Sequence, residues 1–285
     1  MNDYQPPVDK LLRYGDPSKR VDWPDYLALG LTQQDAPELI RMATDRELAH
    51  ALSESLEVWA PVHAWRALGQ LKATSAIEPL IGLWKHYSDD LEDDWLLEDL
   101  PHVFPHFGVA AVAPLQVFIS NASYPVWGRV AGTAALYHLV EQEPDQRDTV
   151  VSILTAELAK QLDDDIWNAE LIASLLDLRA IESAEVIKAA YAAERVDLMV
   201  NGDWNDARTE LGIPDGVIIP GPEPKPMDKS PFPMFSDIRA FPDLDSDFDF
   251  ALPTPPLRIE RKDQKKAKKK QKQQKQSRKQ NRKKK

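Results

Sequence analysis

A tryptophan recurs four times along the middle of this 285-residue chain, at intervals typical of repeats built from two helices. Trp59, Trp95, Trp127 and Trp167 are separated by 36, 32 and 40 residues, and helical repeats have periods in this range. The residues five, eight and nine positions after each tryptophan are apolar or small, which places them on one side of a helix. These twelve predicted core positions are Ala64, Ala67, Leu68, Leu100, Val103, Phe104, Gly132, Ala135, Leu136, Ile172, Leu175 and Leu176.

A second amphipathic segment follows each tryptophan helix after a short break. The apolar residues of these segments recur at helical spacing, so each unit is predicted to be helix, turn, helix. No alternation typical of strands occurs in residues 23–195, and we predict an all-α region. The four stripes contain Ile77, Leu80, Ile81, Trp84 and Tyr87, then Val112, Leu115 and Phe118, then Val150, Val151 and Leu154, and finally Val186, Ile187 and Tyr191.

Three prolines test this prediction. Pro61, Pro79 and Pro114 lie where helices are predicted to begin. We place them in first turns, where the missing N–H would have no intrahelical partner in any case.

Imperfect helical elements are expected to cap both ends of the repeats, because a bare repeat face would expose apolar surface. Residues 23–45 resemble a helical pair in which Gln34 or Asp35 caps a helix over residues 36–42. A last helix is predicted over residues 204–211, with Asp203 as its N-cap and Gly212 after its end.

The domain boundaries follow changes in composition. We predict an N-terminal segment with an imperfect capping pair over residues 1–45, and paired-helix repeats with a C-terminal capping helix over 46–219. Residues 220–257 hold 10 of the 23 prolines and are predicted to be an acidic linker. Residues 258–285 hold 16 Lys and Arg and two acids, so we predict a disordered basic tail.

This tail is the strongest compositional signal for binding. Its positive charges could neutralise nucleic-acid phosphates or contact an acidic partner. Docking on the acidic helical region and a purely solubilising role are the alternatives. No aromatic residue follows Phe250, so we expect any RNA contact to be non-specific. The candidate binding residues are Lys265, Lys266, Lys268, Lys269, Lys270, Lys272, Lys275, Arg278, Lys279, Arg282, Lys283, Lys284 and Lys285.

The rest of the chain carries the opposite charge. Residues 1–219 contain 16 basic and 37 acidic side chains, which is the wrong sign for a groove that follows a phosphate backbone. A protein partner with a basic face is therefore expected for this region.

Composition also limits the compartment and the chemistry. The chain has no cysteine, which excludes a disulfide scaffold and a thiolate metal site. The first ten residues lack a basic start and an apolar run, so we expect a cytoplasmic protein. The longest nearly apolar stretch, residues 107–119, is too short to span a membrane.

Several motifs resemble those of HEAT repeats. They are AIEPLI at residues 76–81, its echo AVAPL at 111–115, and the paired-helix period. More narrowly, VWAPVHAWRALGQL, DDWLLEDLP and VNGDWNDARTELG are similar to segments of an uncharacterised group of bacterial HEAT-like proteins. The resemblance covers about residues 23–212 and implies an α-solenoid. Some members of that group carry a cysteine-rich metal knuckle, which a chain without cysteine lacks.

Glu98, His102 and His106 are four residues apart, and on one helix they would align three potential metal ligands. Pro101 and Pro105 interrupt this stretch, so we interpret the three as structural surface residues. No metal or other cofactor is predicted.

The alternating residues Asp243, Asp245, Asp247 and Asp249 resemble the start of an EF-hand loop. The required glycine and glutamate are missing, and we favour a linker or an acidic-aromatic motif.

Two further groups have structural interpretations. His63 shares a helix face with Trp59, near Trp65, and we favour core packing over a ligand-binding cluster. The acids at 163–165 and 92–94 precede predicted helices and are interpreted as caps.

The motifs of common hydrolases, nucleotide-binding enzymes and metalloproteases are absent from the sequence. We therefore expect a non-enzymatic interaction scaffold or adaptor. The alternatives are an RNA- or ribosome-associated factor that uses the basic tail, and a bilin lyase or chaperone suggested by fold resemblance.

Overall fold

The computed structural model describes residues 3–19, 22–52, 54–87 and 94–214, and in these ranges the regular structure is entirely helical. The α-helices are α1 (Ala36–Ala43), α2 (Arg46–Ala49), α3 (Ala60–Gln70), α4 (Ile77–Lys85), α5 (Asp94–Glu98), α6 (Val112–Ile119), α7 (Val126–Gln142), α8 (Arg147–Leu158), α9 (Asp165–Asp177), α10 (Ala184–Ala192), α11 (Leu198–Asn201) and α12 (Trp204–Glu210). The 3-10 helices are Val8–Arg13, Pro17–Lys19, Leu27–Leu29, Gln33–Asp35, Glu57–Trp59, Thr74–Ala76, Leu100–Ala111, Pro144–Gln146 and Ile181–Ser183.

The register predicted from the tryptophans is confirmed. All twelve positions after the four tryptophans are buried. The second stripes are buried as well, except that Val186 and Tyr191 are half-buried. Spacing alone therefore identified the core side of each helix, because residues four apart lie on one helical face.

The prolines lie as predicted. Pro61 occupies the first turn of α3, Pro79 the first turn of α4 and Pro114 the first turn of α6. Proline therefore removes no N–H that these helices use.

The second unit departs from the pattern of a single α-helix. After α5 the chain continues as the long 3-10 segment, Leu100–Ala111, which contains Pro101 and Pro105. Gly108 interrupts this segment with φ 60° and ψ −150°, a conformation that a residue with a Cβ rarely adopts. The buried core residues of this unit therefore belong to a 3-10 helix and not to an α-helix.

The N-terminal region contributes more to the core than the sequence indicated. Tyr4, Val8 and Leu11 are buried, and the Tyr4 hydroxyl donates to Asp45 at 2.6 Å. In residues 23–45, the first member of the predicted helical pair is only the short 3-10 helix Leu27–Leu29.

Of the two residues predicted to cap α1, Asp35 occupies the N-cap position, but its side chain makes no hydrogen bond to the first turn of α1. Thr32 and Asp35 form a reciprocal capping box around the 3-10 turn Gln33–Asp35, which leads directly into α1. Gln34 donates its backbone N–H to Thr32 and does not act as the cap. Helix α1 itself, Ala36–Ala43, extends the predicted range by one residue.

Successive units are adjacent in space. Helix α3 packs against α1 and the long 3-10 segment, that segment packs against α7, and α9 packs against α7 and α11. The second members also meet, since α4 contacts α6 and α10 contacts α8 and α12. Equivalent helices of successive units are therefore neighbours in the fold.

Helix α7 approaches its neighbours closely through two glycines. A Cβ built on Gly128 would lie 2.6 Å from the backbone oxygen of Trp84, and one on Gly132 would lie 2.8 Å from Ile119. Both glycines are thus required by the packing of α7 against α4 and α6.

A buried cation joins α6, α7 and α9. Arg129 is 2 % exposed, its guanidinium lies 3.8 Å from the ring centroid of Trp167, and its Nε donates to the Ile119 carbonyl at 2.8 Å. Burial lowers the pKa of Arg129. The indole supplies a cation–π contact in place of water.

The C-terminal helix agrees with its prediction. Asp203 caps α12 through a capping box with Asp206, and Gly212 follows with φ 73°. The described residues belong to one compact unit, Met1–Gly221. The predicted linker and tail lie outside the described residues.

One strongly apolar stretch among the described residues is Trp95–Ile119, with a mean hydropathy of 1.4 over its best window. Its length and composition would allow it to cross a membrane. This apolar stretch is longer than residues 107–119, the stretch identified from the sequence. Half of that window is buried inside the fold, and the backbone bends at Gly108. We therefore assign this stretch to the protein core.

Candidate functional site

Two clefts meet at His102, which forms part of the wall of each. The Trp23 cleft has a volume of about 380 Å³ and the Trp95 cleft one of about 400 Å³. The long 3-10 segment supplies His102 to both, because Pro101 and Pro105 keep this stretch out of a regular α-helix. The Trp23 cleft is lined by Trp23, His102, Pro105, His106, His138, Glu141 and Gln142, and the Trp95 cleft by Trp95, Glu98, Asp99 and His102.

A nearly buried ion pair adjoins the clefts, and its acidic member, Asp99, lines the Trp95 cleft. Arg66 on α3 makes two hydrogen bonds to the Asp99 carboxylate, and their side chains are 6 % and 12 % exposed. The indole Nε1 of Trp65 donates to the same carboxylate at 2.8 Å. Asp99 is therefore held by three donors from α3.

The same guanidinium lies between two half-buried tryptophans. Its carbon is 5.1 Å from the ring centroid of Trp23 and 5.6 Å from that of Trp95, distances typical of cation–π contacts. Trp95 also meets the ring of Trp59 edge to face at 5.6 Å. Arg66 thus connects the indoles that form the outer walls of the two clefts.

Three imidazoles line the Trp23 cleft together with Trp23. The rings of His102 and His138 lie 3.9 Å apart between centroids, at an interplanar angle of 31°. His138 is hydrogen-bonded through Nδ1 to Glu141 Oε2 at 2.8 Å. The ring centroids of His106 and Trp23 lie 5.3 Å apart, so most of the residues that line this cleft carry aromatic rings.

Two of these imidazoles are held neutral. Desolvation, followed by the proximity of His138, lowers the pKa of His102 to about 4. Desolvation and the nearby ammonium of Lys72 also lower the pKa of His106. At neutral pH both rings are therefore uncharged hydrogen-bonding groups.

The described residues contain no group of three or more His and carboxylate side chains that could hold a metal ion. Glu98 lies on α5, whereas His102 and His106 lie on the long 3-10 segment, so the regular spacing in the sequence does not become one helical row. His102 and His106 instead line the Trp23 cleft together with His138. They are therefore members of a shared cleft and not isolated surface residues.

The model of the family described as "Protein of unknown function (DUF1186)" matches residues 31–214, more than half of the chain. The chain belongs to this family. No curated protein and no solved structure matches it. The matched range contains both clefts apart from Trp23, which precedes it.

The structural interpretation of His63 is confirmed. The ring is 1 % exposed, with Nε2 at 2.7 Å from the Gly15 carbonyl and Nδ1 at 2.7 Å from the Tyr26 hydroxyl. Because the carbonyl can only accept, Nε2 carries the proton and Nδ1 accepts from the tyrosine. His63 is a satisfied core residue that joins the N-terminal segment to α3.

The capping interpretation of the acids is confirmed at α9. Asp164 accepts the backbone N–H of Trp167 at 3.0 Å. Of residues 92–94, only the backbone of Asp94 is described, as the first residue of α5.

The other sequence-based candidates lie outside the described residues. These are the thirteen basic residues from Lys265 to Lys285 and the four aspartates from Asp243 to Asp249.

Reasoning from the sequence missed Trp23, His138 and Glu141 as members of a site. One signal could have found His138, because it follows His102 by 36 residues, the same separation as Trp59 and Trp95. Both of these pairs are in ring contact in the structure. Comparing polar residues one repeat apart would therefore have identified the histidine pair.

Proposed function

We propose that this chain is a non-enzymatic interaction scaffold, a HEAT-like α-solenoid that binds a partner protein with a basic face. Its binding surface includes the two clefts that meet at His102. The observation that carries this proposal is the composition of those clefts, which offer indole and imidazole faces and carboxylates and are lined by no Lys or Arg in the region described.

The order of helix contacts supports the solenoid. In HEAT-like repeats each unit contacts mainly its neighbours, and equivalent helices form continuous layers. Here α1, α3, the long 3-10 segment, α7, α9 and α11 contact one another in sequence. The contacts of α4 with α6 and of α8 with α10 indicate a second layer.

The charge distribution supports a basic partner. Residues 1–219 carry 37 acidic and 16 basic side chains, and Arg66, whose guanidinium contacts the rings of Trp23 and Trp95, is already paired with Asp99. Complementary charge accelerates association and disfavours partners of the wrong sign.

Site-specific crosslinking of the full chain tests this function. A photoreactive p-benzoylphenylalanine replaces Gln142 in the Trp23 cleft, and in a control chain it replaces Val117, which is 74 % exposed on α6. In a lysate of the source organism, we expect position 142 to capture a protein through a Lys- or Arg-rich peptide that position 117 does not capture. Capture of only nucleic acid or small molecules, or equal capture at both positions, would contradict the proposal.

The basic tail favours a second candidate function, an RNA- or ribosome-associated factor. Sixteen Lys and Arg among 28 residues would give salt-dependent binding to phosphate. The test compares ribosome co-sedimentation of the full chain with that of a chain in which the thirteen basic residues from Lys265 to Lys285 are glutamine. Equal co-sedimentation would rule out this candidate.

A further inference from the structure

We infer that the Trp23 and Trp95 clefts together form a receptor for a guanidinium or ammonium group, carried by an arginine- or lysine-containing segment of the partner. This inference rests on the proposed function and specifies the chemistry that the scaffold recognises. The occupant is a cationic side chain of another protein, and arginine is the preferred residue.

The first argument is the electrostatics of the lining. Glu141 lines the Trp23 cleft, while Glu98 and Asp99 line the Trp95 cleft. Asp99 is paired with Arg66, and Glu141 is hydrogen-bonded to His138. Among the described residues, carboxylates line both clefts and no Lys or Arg lines either of them. A cation that lies across His102 would have carboxylates on both sides.

The second argument is the arrangement of the aromatic rings. Trp23 and Trp95 already have a guanidinium, that of Arg66, within cation–π distance. The faces of His102 and His106 extend this aromatic lining into the Trp23 cleft. An arginine side chain could stack on these rings in the same way, because a planar guanidinium is weakly hydrated and suits aromatic faces.

The third argument concerns repulsion. His102 and His106 are neutral near pH 7, since desolvation lowers the pKa of each ring. Lys72 approaches His106, but it does not line either cleft. An incoming cation would therefore meet carboxylates and the uncharged rings of His102 and His106.

A peptide titration of the full chain tests the inference. The probe is an acetylated and amidated octapeptide of Gly and Ser with two arginines. Two matched peptides carry lysine or neutral citrulline in place of the arginines, and a third comparison peptide is octaproline. Binding is followed by NMR of the histidine ring and tryptophan indole protons, since the chain has 6 His and 8 Trp.

We expect the arginine peptide to shift the resonances of Trp23, His102 and His138, with weaker binding of the lysine peptide. The citrulline peptide should bind about tenfold or more weakly, as expected when cation–π and ionic contacts are both lost. Equal affinity for citrulline, or tighter binding of octaproline, would overturn cation recognition.

Matched variants locate the binding. Glu98→Gln and Glu141→Gln should each weaken the arginine peptide by up to about fivefold, and the double variant by more. Trp23→Leu should weaken it by about twofold to thirtyfold, and Trp23→Phe should restore part of that loss. Glu210→Gln, exposed at the end of α12, is the control and should bind normally.

The outcomes separate this inference from the proposed function. If the arginine peptide binds all variants equally and shifts other rings, the cleft assignment is wrong, while crosslinking of a basic partner can still support the scaffold. The variants must retain the circular dichroism and melting midpoint of the parent chain, and Glu98→Gln and Glu141→Gln should do so because both residues are exposed.

Discussion

Arg66 and Asp99 form an ion pair that is almost completely buried, and three donors from α3 converge on the carboxylate. The guanidinium also contacts the indoles of Trp23 and Trp95. A pair of this kind fixes the positions of the elements that carry it, because neither charge can be left alone in the interior. It therefore helps to set the geometry of the adjoining clefts, one of which Asp99 lines.

Removing one member of this pair should be strongly destabilising. We expect Asp99→Ala to lower the free energy of unfolding by about 3 to 5 kcal/mol, because it leaves the buried guanidinium without a counter-ion. Urea denaturation measures the change. Asp148→Ala removes an ion pair in which the acid is 95 % exposed, and should change stability by less than about 1 kcal/mol.

The double variant Arg66→Met with Asp99→Leu separates charge from packing. It should recover part of the stability that Asp99→Ala loses, because no unpaired charge remains. If the double variant is as unstable as Asp99→Ala, the loss arises from packing and not from the unpaired charge.

Gly128 should tolerate no side chain. Its Cβ would lie 2.6 Å from the backbone oxygen of Trp84, so Gly128→Ala should force α7 away from α4 and cost about 1 to 3 kcal/mol. Thermal unfolding provides the measurement. Gly82→Ala is the matched control, because nothing lies within 4 Å of its Cβ, and it should be neutral or stabilising by up to about 1 kcal/mol. Equal effects at both sites would show that the close approach does not matter.

Truncation of the predicted core should distinguish buried from exposed positions. Leu136 and Leu176 are 0 % and 3 % exposed, and we expect Leu136→Ala and Leu176→Ala to cost about 2 to 5 kcal/mol each. Val117→Ala on α6, where the side chain is 74 % exposed, should stay within about 0.5 kcal/mol of the parent. Chemical denaturation of the three variants is sufficient, and losses within error at both leucines would contradict the register.

Acidification should destabilise the fold through His102. Its pKa falls from an ordinary value of 6.5 to about 4, so below pH 6.5 the unfolded chain binds a proton that the folded chain does not. Stability should therefore fall as the pH decreases from about 6.5 to 4. Desolvation and His138 oppose the charged ring and Arg66 adds to them, whereas Asp99 and Glu141 favour it.

The measurement is the urea midpoint at several pH values for the parent chain and for His102→Gln. The variant should lose less stability over this window, because glutamine does not titrate. Parallel pH profiles for the two proteins would exclude His102 as a source of the slope.

The sequence by itself determined the helical class, the register of the core and most helix starts. The spacing after the four tryptophans identified the buried positions, because helical periodicity is a local property. Asp203 and Pro61 marked helix starts for a similar reason, since capping and proline geometry depend on a few neighbouring residues. The departures occurred where local signals compete, as at Pro101, Pro105 and Gly108, where a regular helix was expected and a 3-10 segment formed.

The site, in contrast, was decided only by the tertiary structure. His102 contacts His138, and Trp23 reaches both His106 and Arg66, through residues far apart in the chain. No local pattern encodes these contacts, because they depend on how one helical unit lies on the next and on where the N-terminal segment crosses α3. The lowered pKa of His102 has the same origin, since desolvation and a neighbouring imidazole arise only when the units pack together.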